Sequence, residues 1–404
     1  MPPGAHCSTN LSRVFFLNSH PFDAQYGRRT ILEDPDSYER RQNPLSSTDE
    51  LVLPPQQITS LPQTFHLANG TEHTQQCEPI QEWQIRSYPT CNLLHELDIA
   101  SDSVKYKAHG SIRSVWKVSN NNSNNDNDNV NDNDNDNDNA TDVSGSEDVI
   151  LKMILFHGNH WEPQRYESHR RDAMATERLT SSPHIVDIYG YCAQSCLNEI
   201  MVGTLSKGHS SSPPLDKLKL ARDAAEALAD VHSAGESLIP TIVHRDITHR
   251  NFLLNREGVV KLNDFNVARF PEWDRETGTL CPFDKRDCGP YRSPEECRFE
   301  ALTEKIDVYA LGNVFYYILT KKDPFQYPRK LPISKIKQSI KEGNTSIIPS
   351  QYEKSEDEAV IGFIQIIRKC WSQDPNDRPS AQEISAELSE MFENIGNLEQ
   401  VVMD

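Results

Sequence analysis

The order of patterns along the chain predicts an α+β fold of two lobes, a small sheet-rich lobe followed by a larger helical one. Three observations carry that reading. SVKYKAHG and SIRSVWKV, at 103–118, alternate apolar and polar residues around a glycine and read as a strand hairpin, and VILKMIL at 149–155 resumes as a strand. Residues 215–233 place Leu218, Ala221, Ala225, Leu228 and Val231 at helical spacing, and 303–320, 357–370 and 380–392 are further helical candidates. Between these patterns, 252–254 and 259–262 are short strands joined by the turn Asn255-Arg-Glu-Gly258. The cleft between two such lobes is the default ligand site.

Taken from the start, residues 1–95 hold 10 of the 25 prolines and no sustained periodicity. That segment is expected to be mostly disordered or loosely attached, with YPTCNLLH at 88–95 able to pack against the folded domain. The hairpin is followed by a tract at 119–148 with twelve Asn between Asn120 and Asn139. It cannot bury enough apolar surface to order itself and should form a floppy loop within the small lobe. Its Asp-Asn alternation lacks the glycine turn and terminal Glu of a calcium-binding EF-hand loop. The longest apolar stretch, 308–319, is interrupted by Gly312 and Asn313 and suits a buried helix. With no apolar run of 18 residues, no membrane span is expected, nor is a secretory signal visible. Residues 394–404 read as a tail.

The net charge is -19, and the tract at 119–148 contributes nine acids and no base. Such a balance makes sequence-independent nucleic-acid binding a poor prospect, because that needs a basic footprint. Nine cysteines stand at irregular positions with no C-x-x-C pair, which points to free thiols in a reducing, cytoplasmic setting. His157 and His160 have no acidic or Cys partner nearby in sequence and are expected in a solvent loop.

The chemistry is concentrated at His244-Arg-Asp-Ile-Thr-His-Arg-Asn251, just before the second strand hairpin, and at Asp264-Phe-Asn266, just after it. A hairpin return of that length can bring Asp264 back beside Asn251. Oxygen ligands from Asn251 and Asp264 suit magnesium, which prefers carboxylates, phosphate oxygens and water. Asp246 then has a separate task, accepting a proton from an incoming hydroxyl.

These segments resemble the eukaryotic protein kinases: the loop is similar to their H-R-D-x-x-x-x-N, and Asp264-Phe265 to the start of their D-F-G. Ser293-Pro294-Glu295 resembles A-P-E. Asp307-Val-Tyr-Ala-Leu-Gly312 and Cys370-Trp-Ser-Gln-Asp-Pro-Asn-Asp-Arg378-Pro379 resemble later helical landmarks of the same fold. The likeness covers 98–393 with the insert set aside, and the Trp371 and Arg378 region is similar to the tyrosine-kinase-like serine/threonine group.

The resemblance implies the bilobal protein kinase fold, ATP and Mg2+ as cofactors, a protein substrate, and Asp246 as catalytic base. It also implies Asn251 and Asp264 as magnesium ligands, Lys152 on the α- and β-phosphates, and a buried ion pair between Glu295 and Arg378. The partner of Lys152 would be Asp172, where the family usually has Glu, or else Glu177. Gly110 and Val115 belong to the phosphate-covering loop Ala108-His-Gly110-Ser-Ile-Arg113-Ser-Val115, which keeps only the middle of three usual glycines. Fewer glycines mean less close backbone approach to phosphate, and so reduced ATP affinity. Asn266 stands in for the glycine after Asp264-Phe265 and should tolerate its left-handed angle. Ser293 in place of Ala should be silent.

Thr248 stands where serine/threonine kinases carry Lys, while Arg250 resembles the tyrosine-kinase arrangement and could neutralise the γ-phosphate. The segment before Ser293 matches neither class, since Cys288 stands where a Thr is expected. A serine/threonine kinase is the reading chosen, with a nucleotide-binding pseudokinase as the alternative. Arg245 beside the base suggests a switch in which phosphate on Thr277 or Thr279 pairs with it.

Overall fold

The computed structural model describes residues 63–66, 72–75, 77–81, 83–86, 103–110, 113–119, 148–155, 163–205, 213–234, 239–274, 276–281, 283 and 287–403. The Asn/Asp tract at 120–147, most of 1–95, His157 and His160 lie outside them. Two compact units divide the chain. In the smaller, residues 1–76 and 156–158, β1 (Gln63–His66) pairs antiparallel with β2 (Glu72–Gln75). All that follows concerns the larger.

The expected hairpin forms β4 (Val104–His109) and β5 (Arg113–Val118), and β6 (Val149–Ile154) pairs with β5 on its other side. With β7 (Ile188–Cys192) and β8 (Ser195–Glu199) they make a five-stranded antiparallel sheet in the order β4-β5-β6-β8-β7. Period-two alternation decides what each face does. Leu151 and Met153 join Val118 and Leu197 in one apolar cluster. Lys152 points to the opposite face, where Tyr191 and Cys196 pack on Ala173 of α2 (Pro163–Arg178). Val118 pairs with Val149 at the end of the hairpin away from Gly110.

The helical lobe is built around α5 (Lys305–Thr320), in which every residue from Ile306 to Thr320 is buried. A helix that is apolar all round belongs in the middle of a core. Gly312 lets it approach α8 (Glu358–Cys370): a Cβ there would lie 2.7 Å from Cys370 Cβ. The helix α3 (Pro214–His232), started by proline in its first turn, packs on α5, on the strand β11 (Val260–Leu262), which pairs with β10 (Phe252–Leu254), and on α9 (Ala381–Met403). The short β9 (Gly203–Thr204) completes a three-stranded sheet with β10 and β11. Thus α9 runs through the segment read from sequence as a tail. Further helices are α4 (Pro294–Arg298), α6 (Ile333–Lys341) and α7 (Ser350–Glu353). Among the described residues, no helix is long and apolar enough to cross a membrane.

Some residues of 1–95 are ordered: β3 (Cys77–Pro79) pairs with β12 (Glu272–Asp274), which pairs in turn with β13 (Thr279–Leu280). Next to β3, the turn α1 (Trp83–Arg86) buries Trp83 edge-on to Phe270 at 5.0 Å, and Gln84 Nε2 donates to the Pro271 carbonyl at 2.9 Å. Trp83, Gln84 and the β3–β12 pairing seat the segment, although its surrounding composition is polar. The cysteines depart from the free-thiol reading. Cys288 is bonded to Cys297, and Cys192 and Cys281 are disulfide-bonded, while Cys196 and Cys370 are free.

Nor is Ser293 silent. It caps α4 in a reciprocal pair: the Glu296 amide donates to Ser293 Oγ, and the Ser293 amide donates to Glu296 Oε2 at 2.8 Å. Burial raises the Glu296 carboxyl from 4.5 to about 7, against the pull of Arg292 and the Ser293 hydrogen bonds. The folded chain therefore holds a proton that the unfolded chain releases, and this group's contribution to stability falls as pH rises from 4.5 to 7. Its slope is at most about 1.4 kcal/mol per pH unit. Glu296→Gln is expected to remove that component from thermal unfolding measured across this window, and an unchanged profile would contradict the assignment.

Candidate active site

Long-range anchors set the loop 244–251. Asp307 on α5, buried, accepts the His244 amide at 2.7 Å and the Arg245 amide at 2.8 Å on its two carboxylate oxygens. Aiming successive amides at one carboxylate bends the chain sharply, and Arg245 takes a φ of 64°. That angle is costly for a residue with a Cβ and persists where surrounding bonds impose it. The His244 ring then links the loop to the strand hairpin. Its Nδ1 accepts the Asp246 amide at 3.2 Å, and its Nε2 donates to the Asn263 carbonyl at 3.2 Å.

The hairpin returns as expected. The Asn263 amide donates to the Asn251 carbonyl at 2.9 Å, so Asp264 follows directly after a residue bonded to Asn251. Asn251 Nδ2 donates to the Asp246 carbonyl at 2.7 Å, which leaves Asn251 Oδ1 for a ligand. Asp264 has its carboxyl raised by burial and then by the like charge of Asp172, with Lys152, Arg113 and His244 opposing. An amide oxygen and a carboxylate short of positive charge fit a divalent cation by donor chemistry. The left-handed angle expected at Asn266 falls on Asp264, whose φ is 70°.

The cations are arranged differently from the expectation. Asp172 is buried, while Glu177 is exposed. Yet Asp172 Oδ2 is held by Arg113 Nη1 at 2.5 Å, and its Oδ1 accepts the Phe265 amide at 2.7 Å. Burial alone would raise the Asp172 carboxyl; Arg113, and after it Lys152, bring it below the ordinary value. Lys152 Nζ donates instead to Asn263 Oδ1 at 2.9 Å. Val115 pairs with Lys152 across the sheet. The Gly110 amide closes its turn on the Arg113 carbonyl at 2.8 Å, and a Cβ on Gly110 would meet only that oxygen, at 3.9 Å. Arg113 Nε is buried without a hydrogen-bond acceptor.

Beside the base, Asp246 Oδ1 accepts from Arg292 Nη2 at 2.6 Å, and Arg292 Nη1 donates to the Arg245 carbonyl at 2.6 Å. Arg250 does not fill this place. It is 70% exposed with Nη2 3.8 Å from Asp323 Oδ2, because the loop turns its side chain outward. Arg245 is buried and donates to the Val267 carbonyl at 3.3 Å. Thr277 is exposed in the turn between β12 and β13, where Asp274 Oδ1 accepts the amides of Glu276 and Thr277; the Thr279 side chain lies outside the described residues.

Arg113, Arg292, Asn263 and the anchoring role of Asp307 were not singled out as site residues from sequence. Arg113 carried a signal, since a charged residue at a glycine position asks for a partner. Ser293-Pro-Glu-Glu296 carried another, the spacing of a capping box. For Arg292 and Asn263 no local pattern distinguished them from surface residues.

Comparison with known proteins matches residues 139–388 to the protein kinase domain family. Among curated proteins, the chain is similar to a serine/threonine-protein kinase/receptor of Acanthamoeba polyphaga mimivirus, 35% identical over 173 residues, covering 43% of this chain and 9% of the relative. It is similar to the serine/threonine-protein kinase drkC of Dictyostelium discoideum, 30% identical over 220 residues, 52% of this chain and 25% of the relative. The dual specificity protein kinase shkC of the same organism is 24% identical over 252 residues, 59% of this chain and 46% of the relative. The chain thus spans less than half the length of each of these relatives.

Proposed function

The chain belongs to the protein kinase domain family, and from that premise we propose that it transfers the γ-phosphate of Mg-ATP to a serine or threonine hydroxyl of a protein. The observation that carries this reading is the bonded series running from Asp246 through Asn251 and Asn263 to Lys152, with Asp264 next in the chain. Asp246 takes the proton of the attacking hydroxyl; that oxygen bonds to the γ-phosphorus as the bond to the β-phosphate oxygen breaks and ADP leaves. Asn251 and Asp264 would hold magnesium, which when bound offsets charge on the phosphates. Lys152 supplies a cation for the α- and β-phosphates. Arg292, rather than Arg250, supplies the cation beside the base, keeping the Asp246 carboxylate in place for the hydroxyl.

Support for serine/threonine specificity comes from the names of the relatives, some of which are dual-specificity kinases. We place the protein on the cytoplasmic side, where its nucleotide is abundant and where the Cys288–Cys297 pair would be held as thiols, and assign Thr277 or Thr279 as the site whose phosphate pairs with Arg245. A nucleotide-binding regulator is the second reading, favoured by the Arg292–Asp246 ion pair, which engages the base. The test is incubation of the full chain with γ-labelled Mg-ATP and generic protein substrates, followed by phosphoamino-acid analysis. Labelled phosphoserine or phosphothreonine is expected. Phosphotyrosine alone would overturn the specificity, and intact Mg-ATP binding with no labelled product would favour the regulator.

A further inference from the structure

Two cations and one helix carboxylate meet where the sheet faces α2, and the carboxylate has been taken by the less expected of the two. Arg113 and Asp172 are 11% and 8% exposed and 2.5 Å apart, whereas Lys152 contacts the neutral oxygen of Asn263. We infer that Arg113 is a positioning residue: it replaces Lys152 as partner of the α2 carboxylate, fastens the phosphate-covering turn, and leaves Lys152 for the nucleotide. The inference rests on the Mg-ATP reading above.

The fastening is continuous. The Arg113 carbonyl closes the turn at Gly110, its guanidinium holds Asp172, and the other oxygen of Asp172 holds the Phe265 amide beside Asp264. The turn over the phosphates, the α2 helix and the magnesium-side backbone are therefore tied through one carboxylate. A charge-assisted bond in a buried site is strong, and removing one partner leaves the other charged and unpaired. The latch also supplies what the missing glycines take away. A glycine loop settles onto phosphate through its backbone; here a side chain holds the turn down. Lys152, whose Nζ donates to the neutral Asn263 Oδ1 while Arg113 holds Asp172 Oδ2, is left available for phosphate.

Restoring glycine separates this account from a simpler one in which Arg113 obstructs the site. Arg113→Gly is expected to weaken Mg-ATP binding to the full chain about tenfold, measured by calorimetry. Tighter binding would overturn the proposal. Arg113→Gln and Asp172→Asn should each weaken binding similarly, and the double variant no more than either alone. Lys152→Gln combined with Asp172→Asn should instead multiply the two losses. Coupling between Lys152 and Asp172, with Arg113 additive, would overturn the assignment. Arg113→Lys should recover part of the affinity, and no recovery would count against a charge-based role. The same cycles read by urea unfolding without nucleotide keep the pair testable even if the Mg-ATP reading fails: Arg113 and Asp172 should remain coupled, and additivity there would reject the latch.

Discussion

Arg378→Ala is expected to destabilise the chain by about 3–5 kcal/mol, the usual result of breaking a buried ion pair from one side. The pair is fully enclosed: Arg378 Nη1 and Nη2 lie 2.5 and 2.8 Å from the two oxygens of Glu295, at 0% and 3% exposure. Arg378 also donates to the carbonyls of Ser372 at 2.8 Å and Lys305 at 3.0 Å, and its guanidinium stands 5.0 Å from the Tyr309 ring. Truncation therefore leaves a buried carboxylate and the carbonyls of Ser372, Lys305 and Gln373 without this donor. Glu295→Ala should cost somewhat less, since the guanidinium keeps its carbonyl acceptors. Replacing both with Met should recover part of the loss, as hydrophobic substitutes for buried pairs often do, but not all of it, because the carbonyls stay unpaired. Urea unfolding of the four proteins checks this ordering, and Arg378→Ala within about 0.5 kcal/mol of wild type would show that the pair does not support the fold.

Asp246→Asn is expected to lower phosphoryl transfer about 10²–10⁴-fold, the range general-base catalysis contributes. The loop should survive the change. Its geometry comes from Asp307 on the amides of His244 and Arg245, from His244 on Asn263, and from Asn251 on the Asp246 carbonyl. None of those bonds uses the Asp246 carboxylate. Mg-ATP affinity should accordingly stay within about threefold, a difference well under 1 kcal/mol, because the proposed nucleotide and magnesium contacts belong to Lys152, Asn251 and Asp264. Loss of binding together with rate would move Asp246 from the chemistry to the structure of the loop.

Residues that act through neighbours in sequence were legible, and those that act through distant partners were not. The strands at 104–118, the hairpin at 252–262 and the buried helix after Lys305 follow from local periodicity, and they came out within a few residues of expectation. The return of Asn263 to Asn251 was likewise foreseeable, since hairpin length determines it. The choice of Arg113 over Lys152 by Asp172 depends on how a side chain 59 positions away enters the sheet–helix interface. Periodicity has no access to that, and the same holds for Arg292 reaching Asp246 across 46 positions. Trp83 illustrates a different gap. Its segment is short and its surroundings polar, so the average over the region concealed one buried aromatic that holds β3 beside β12. The left-handed angle stands at Asp264, two residues before Asn266, beside the Phe265 amide that donates to Asp172, a bond that composition does not reveal.

The central claim is that Asp246 promotes transfer from Mg-ATP bound in this cleft. The most direct measurement is a single-turnover time course of label passing from γ-labelled ATP to protein, with wild type and Asp246→Asn both saturated with Mg-ATP. Rapid labelling by the wild type, slowed at least about a hundredfold in the variant at equal occupancy, is the predicted result. Equal rates for the two proteins, or saturation of the wild type without any label transferred, would contradict it.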